Sequence, residues 1–219
     1  MDLYEAMRCA PTSRRFEAEP VAREALVRVL DAARFAPSGG NRQGWRVVVV
    51  EDAARRAALR DLYLPHWQAY LEQTGGALML AEPERFDPAR VRMVRRANEY
   101  AERLDEVPVH LVVGVRLEDL AVTDAALPRQ SIVGGASVYP FVQNLLLGLR
   151  AEGLGAALTT LLVPAEADVR RLLAIPDDVA LAAHIGVGHR AEKWPARLAR
   201  RPVSEFAFAE RFGAPLAGS

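Results

Sequence analysis

Four stretches of this 219-residue chain gather side chains able to grip a ligand. The densest is Ala36-Pro37-Ser38-Gly39-Gly40-Asn41-Arg42-Gln43-Gly44-Trp45. Its glycines allow close backbone approach, and Ser38, Asn41, Arg42 and Gln43 crowd hydrogen-bonding groups into a few residues. Thr12-Ser13-Arg14-Arg15-Phe16 sets hydroxyls beside two guanidiniums. Gly153-Leu154-Gly155-Ala156-Ala157-Leu158-Thr159-Thr160 is a turn running into an apolar run, and Arg197 with Arg200-Arg201-Pro202 makes a basic tail. Guanidinium forks pair bidentately with phosphate oxygens, and hydroxyls add neutral donors. Taken singly, each stretch also reads as a common turn or a solvated charge cluster, and for the tail that plainer reading carries more weight.

Other chemistries lack their residues. There is no Gly-x-Ser-x-Gly elbow and no Walker-type phosphate loop. His66, His110, His184 and His189 show no zinc spacing, and Cys9 has no partner for a ligand set, so no metal is expected. His110 and His184 fall inside apolar runs and read as satisfied core residues. Gly186-Val187-Gly188-His189-Arg190-Ala191 imitates a dinucleotide fingerprint, but Trp194-Pro195 follows where a helix is required. Lys plus Arg equals Asp plus Glu at 28 each, which gives no electrostatic reason for nucleic-acid or membrane binding. No apolar run reaches membrane length, and the lone cysteine fits a reducing cytoplasm.

The elements that must position these stretches follow from periodicity. Asp2 caps a short helix ending near Pro11. A second helix carries Leu26, Val29, Leu30 and Ala33 on one face and stops before Pro37. Trp45 to Val50 is a buried strand, and Asp52 caps a helix through Leu59 and Leu62 towards Tyr70. Residues 74–87, with Gly75, Gly76 and Pro83, read as loop. Pro88 opens a helix striped by Val94, Ala97, Ala101 and Leu104. Val109 to Val115 is a second strand. Gly134 and Gly135 open an apolar helix through Phe141, Val142, Leu145 and Leu149, which Gly153 stops. Ala156 to Val163 and Val179 to Val187 are further strands, separated by a helix starting at Pro164. The fold class is α+β, residues 1–219 forming one domain of helices on a central sheet. The tail reads as extended, anchored by Phe206, Phe208 and Phe212, and suited to packing on a partner subunit.

In series, these features resemble the FMN-dependent nitroreductase family over nearly the whole chain. The likeness rests on the Arg-rich segment before Phe16, the Ala-Pro-Ser-Gly-Gly-Asn-x-Gln-x-Trp loop, Gln143-Asn144-Leu145-Leu146, Gly153-Leu154-Gly155, and Lys193 ahead of the Arg-Arg-Pro tail. The resemblance implies a three-layer fold with a mainly antiparallel sheet, in an intertwined homodimer whose FMN sites are each built from both chains. It places Arg14 near flavin N1 and the C2 oxygen, and Thr12 at the phosphate end. Pro37, Ser38, Gly39, Asn41 and Gln43 would contact the ring and ribityl chain. Thr159, Thr160 and Leu161 would face N5 and O4, and Arg200 and Arg201 would reach the phosphate. Three departures stand out. Ala10 and Pro11 replace a basic or histidine residue, removing one phosphate contact that neither Arg8 nor Arg15 matches by position. Gly44 replaces a proline, which would loosen the loop, and Leu198 stands where a second cation is common.

The implied activity is hydride transfer from NAD(P)H through the flavin to a nitroaromatic, quinone or similar small acceptor, with ping-pong kinetics. No protein nucleophile is required. Tyr63 and Trp67, at helical spacing with Tyr70, are candidates for the acceptor pocket, as is Tyr139. Arg92, Arg95 and Arg96 form a basic cluster that also reads as a solvated face. Alternatives are another FMN reaction, such as heterocycle oxidation or reductive dehalogenation, a flavin-storage protein with little turnover, or a dimer that binds no flavin.

Overall fold

A computed structural model describes residues 1–216 and 218. Helices α1 (Leu3–Cys9) and α2 (Arg23–Ala33) precede strand β1 (Trp45–Val50). Helices α3 (Ala53–Gln73), α4 (Gly76–Ala81) and α5 (Pro88–Glu102) lead to β2 (Val109–Arg116). Then come α6 (Tyr139–Ala151), β3 (Leu154–Thr159), α7 (Glu166–Leu173) and β4 (Val179–His189). The capping signals act as their chemistry requires. The Asp2 carboxylate accepts from Tyr4 N–H, Asp52 from Arg55 N–H, and Asp87 from Ala89 and Arg90 N–H.

The strands form one antiparallel sheet in the order β1-β2-β4-β3. Alternation along β2 sends Leu111, Val113 and Val115 to one face, against Leu26, Val29, Phe141, Leu145 and Leu149 of α2 and α6. Val112 goes to the other, against Leu59, Tyr63, Trp67 and Leu104. Helices thus cover both faces, which is why β2 is buried almost throughout and reads as a continuous apolar run. A register shift between Val113 and Gly114 skips Ala182, so Ala182 and Ala183 join one core and Leu181 the other.

Several boundaries differ from expectation. The stretch 74–87 holds α4 and a 3-10 turn at Pro83–Arg85, because Met79 buries there. Gly134 and Gly135 lie in a 3-10 turn, and α6 starts at Tyr139 with Pro140 in its first turn. β3 ends at Thr159, four residues early, because Val163 N–H turns back to the Thr160 carbonyl. Pro164 lies in the 3-10 turn that follows, and α7 starts at Glu166. In the tail, Leu198 N–H reaches the Arg8 carbonyl. Phe206 and Phe212 are 64% and 92% exposed, so they do not anchor the tail to this chain. Phe208 packs on Phe212, ring centroids 4.6 Å apart. Among the described residues no helix is long and apolar enough to cross a membrane.

His110 and His184 meet across the sheet, Nδ1 to Nε2 at 2.7 Å, and both are buried. They are less than fully satisfied: among the described residues His184 Nδ1 has no hydrogen-bond partner, and His110 Nε2 has none of good geometry, although the Leu104 backbone weakly favours its charged form. Burial holds both rings neutral. It pushes His110 down to about 4, helped by the Arg56 charge, and His184 well below its ordinary value. Unfolded, both titrate near ~6.5. The unfolded chain therefore binds more protons than the native one as pH drops from ~6.5 towards 4, and stability present above ~6.5 is lost over that window. The melting temperature should fall from pH 7 to pH 4.5, and less steeply in the His110→Leu/His184→Leu double variant. Parallel curves for the two proteins would dismiss the pair as the cause.

Candidate functional site

The strip from Thr12 to Glu17 is added to the sheet as an extra edge segment. Thr12 bridges Ala156 and Phe16 bridges Arg190. Ser13 N–H donates to the Ala156 carbonyl and Glu17 N–H to that of His189, each at 2.8 Å. Ser13 is fully buried, and its Oγ accepts from Arg190 Nη1 at 2.9 Å. This seat exists only because position 155 is glycine. A Cβ there would lie 2.8 Å from both Cβ and Oγ of Ser13. With Ser13 turned inward, Thr12 and Arg14 are left on the opposite side of the strip.

There they meet a cavity of about 490 Å³ between the strip, β3 and helices α3 to α5. Thr159, Thr160 and Leu161 line it, with Tyr63, Trp67 and Tyr70 of α3, Met79 of α4, and Arg90 and Tyr100 of α5. Among the described residues its charged lining is Arg14 and Arg90, with no carboxylate. Neither guanidinium makes a hydrogen bond or ion pair among the described residues. The neighbouring Arg15, by contrast, is paired with Glu99 at 2.8 Å.

The walls are fixed by specific contacts. Trp67 Nε1 donates to Asn98 Oδ1 at 2.9 Å, tying α3 to α5. The Tyr63 hydroxyl lies 3.4 Å from Thr159 Oγ1, which also accepts from Leu161 N–H at 3.2 Å and so shapes the turn after β3. Burial raises the Tyr63 phenol above its ordinary range, opposed by that hydrogen bond and by the Arg14 charge. The Tyr100 hydroxyl is buried without a hydrogen-bond partner among the described residues, and burial drives its phenol far up, so it stays protonated.

The Pro37–Gln43 loop lies elsewhere in the chain. Ser38 Oγ accepts from Gln43 N–H at 3.1 Å, and Gly39 N–H donates to Ser137 Oγ at 3.0 Å. Gln43 Nε2 donates to Asn41 Oδ1 at 3.1 Å. Asn41 and Gln43 hold left-handed φ of 55° and 51°, a strain of about 1–3 kcal/mol each that concentrates where backbones are shaped for a ligand. Gly44 does not loosen this loop. Its carbonyl accepts from Arg116 N–H at 2.9 Å, and a Cβ there would sit 2.7 Å from Asp119 Cβ. Trp45 then stacks on Phe141, centroids 4.9 Å apart and planes 6° from parallel.

One chain therefore divides the expected site residues. Thr12, Arg14, Tyr63, Trp67, Thr159, Thr160 and Leu161 share one cavity. Pro37, Ser38, Gly39, Asn41 and Gln43 do not line it. Nor does Tyr139, whose hydroxyl donates to the Ala182 carbonyl at 3.2 Å. Arg200 and Arg201 are exposed in the tail, Arg201 lying 3.8 Å from Glu205. Periodicity passed over Met79, hidden in the stretch read as loop, and Tyr100 and Arg90, since nothing local marks a core tyrosine or a surface arginine as cavity lining.

Gly155→Ala should therefore cost about 1–3 kcal/mol in chemical unfolding by prising Ser13 off the sheet. A variant as stable as the parent would mean that this contact does not seat the strip.

The fold has counterparts among known proteins. The chain is 33% identical over 187 residues to an NADH dehydrogenase of Thermus thermophilus, with 82% of each protein covered. It is 30% identical over 190 residues to a 5,6-dimethylbenzimidazole synthase of Rhodospirillum rubrum, covering 83% of this chain and 79% of that one. A crystal structure of oxidized iodotyrosine deiodinase bound to FMN and 3-iodo-L-tyrosine superposes with a TM-score of 0.69 at 27% identity, over 92% of this chain and 96% of that one. The sequence model of the Nitroreductase family matches residues 11–189, a span that opens beside Thr12 and closes at the end of β4. With strip, loop and cavity all inside that span, the chain belongs to the nitroreductase family.

Proposed function

We propose that this chain is a homodimeric FMN oxidoreductase that takes hydride from NADH or NADPH and delivers it to a nitroaromatic, quinone or similar small acceptor. The reading is carried by the half-buried Arg14 guanidinium, unpaired among the described residues, at a cavity with aromatic walls and no carboxylate among the described residues. The residues present fit FMN. Arg14 can accept a negatively polarised ring edge without breaking an internal ion pair, and Thr12 and Thr159–Leu161 line the same cavity with hydroxyl and backbone groups. The bound flavin would supply the two-electron chemistry. Arg14 would place a fixed positive charge where negative charge gathers. Tyr63 and Trp67, both buried, would exclude water and offer flat surfaces to an acceptor. With Arg14 and Arg90 the only charges on the lining among the described residues, acceptors bearing electron-rich oxygens are favoured.

The division of site residues supports a site shared between two chains. Leu3, Tyr4 and Met7 of α1, Val27, Phe35, Phe206 and Phe212 are all exposed, apolar side chains that a partner chain would cover. We assign the Pro37–Gln43 loop, Tyr139, Arg200 and Arg201 to the partner's site, residues 1–219 acting as one domain. A reducing cytosol suits the free, buried thiol of Cys9. A second reading keeps FMN and changes the reaction. It is favoured by similarity to the dimethylbenzimidazole synthase and the deiodinase rather than by any residue of the cavity.

The test is to saturate the protein with FMN, desalt it, and add NADH or NADPH anaerobically while following the visible band. The band should persist, bleach, and return with a quinone or nitro compound. A band indifferent to both nicotinamides would point to storage or another reaction, and no retained band would end the FMN reading. Arg14→Ala should weaken FMN binding about ten-fold and slow its reduction, the loss of one charge-assisted contact. Unchanged affinity and rate would remove Arg14 from the site.

A further inference from the structure

Beside the large cavity lies a second one of about 70 Å³. Thr12 and Leu158 wall both cavities, so the two adjoin at those residues. Ala10 and Pro11 line it, the positions from which the family's basic residue is missing, together with Arg150 and Trp194. Arg150 comes from the last turn of α6. Its guanidinium carbon stands 3.9 Å from the Trp194 ring centroid, a cation–π contact that fixes its place. Its Nε is buried with no hydrogen-bond partner, and the guanidinium makes no hydrogen bond or ion pair among the described residues. Among the described residues no carboxylate lines the cavity. Nearby cations are engaged elsewhere: Arg190 holds Ser13 and Glu192, Arg15 holds Glu99, and Arg8 lies over the Tyr4 ring.

A buried donor without a partner, on a cation without a counter-charge, is a costly arrangement unless an anion completes it. The volume is roughly twice what one water occupies in the liquid, room for a tetrahedral oxyanion. We propose that Arg150, with the Thr12 hydroxyl, binds the phosphate of FMN and replaces from α6 the cation that Ala10 and Pro11 no longer supply. The assignment rests on the FMN reading above and adds a residue to it. A guanidinium offers a fork to two phosphate oxygens, and Trp194 holds that fork in plane.

Titration of the full chain with FMN and with riboflavin, which lacks the phosphate, separates the possibilities. Arg150→Gln should lose about ten-fold in FMN affinity, one charge-assisted contact, while riboflavin binding stays unchanged. Equal loss for both ligands would make Arg150 a prop for Trp194 and overturn the proposal, as would no loss for either. If the unaltered protein binds neither flavin, the FMN reading itself fails. Should Arg150→Gln not fold, dicarbonyl labelling of the unaltered protein, mapped by mass spectrometry, decides the matter. FMN should shield Arg150 and riboflavin should not, and equal labelling with both would overturn the assignment.

Discussion

The contact between the buried Ser13 side chain and the bare α-carbon of Gly155 organises much of what surrounds the cavity. It lets an extended strip lie against the end of β3 closely enough to share backbone hydrogen bonds with Ala156 and His189. Once Ser13 is locked under Arg190, alternation leaves its neighbours no choice of side. Thr12 and Arg14 are therefore placed by packing, without any hydrogen bond that holds their own side chains.

Charge is managed by the same economy. Most arginines of known surroundings are paired, as Arg15 with Glu99, Arg28 with Glu152, and Arg129 with the buried Asp124. Asp124 is itself held down to about 2 by the Ile132 amide, then by the hydroxyl of Ser131 and the charge of Arg129. Arg14, Arg90 and Arg150 break that pattern: none of the three guanidiniums has a hydrogen bond or ion pair among the described residues, although Arg14 also borders a cleft walled by Glu99 and Glu106. Unneutralised cations beside empty space keep their full attraction for an anionic or electron-rich ligand, because no internal partner must first be displaced. The aromatic walls contribute the complementary half: they exclude water, so that the charges act through a lower dielectric.

The two sheet faces explain why chemistry collects at this edge. β2 and β4 are buried along almost their whole length beneath helices. Their interior polar residues, His110 and His184, can only turn to each other. The ends of β3 and the strip beside it remain open, and they carry the hydroxyls.

Much of this was legible along the chain. The four strands and the helices opened by Asp2, Asp52 and Pro88 follow from periodicity and local hydrogen bonding, which act over a few residues, while the three-layer arrangement was implied by the family resemblance. So did the candidacy of Thr12, Arg14, Tyr63, Trp67 and Thr159, whose residue types announce binding. The helix in residues 74–87 was not legible, because glycines that usually mark a loop here admit a tight corner, Gly76 packing on Leu71. The role of Gly44 was misread for the same reason: the need for glycine comes from Asp119, distant in sequence. Nor could sequence pair His110 with His184 or set Arg150 beside Ala10 and Pro11. Local order alone determined the elements and the kinds of side chain on offer. Which of them share a cavity, and which cations lack a partner there, was decided by tertiary packing, because burial and the absence of a counter-charge are properties of residues brought together from far apart in the chain.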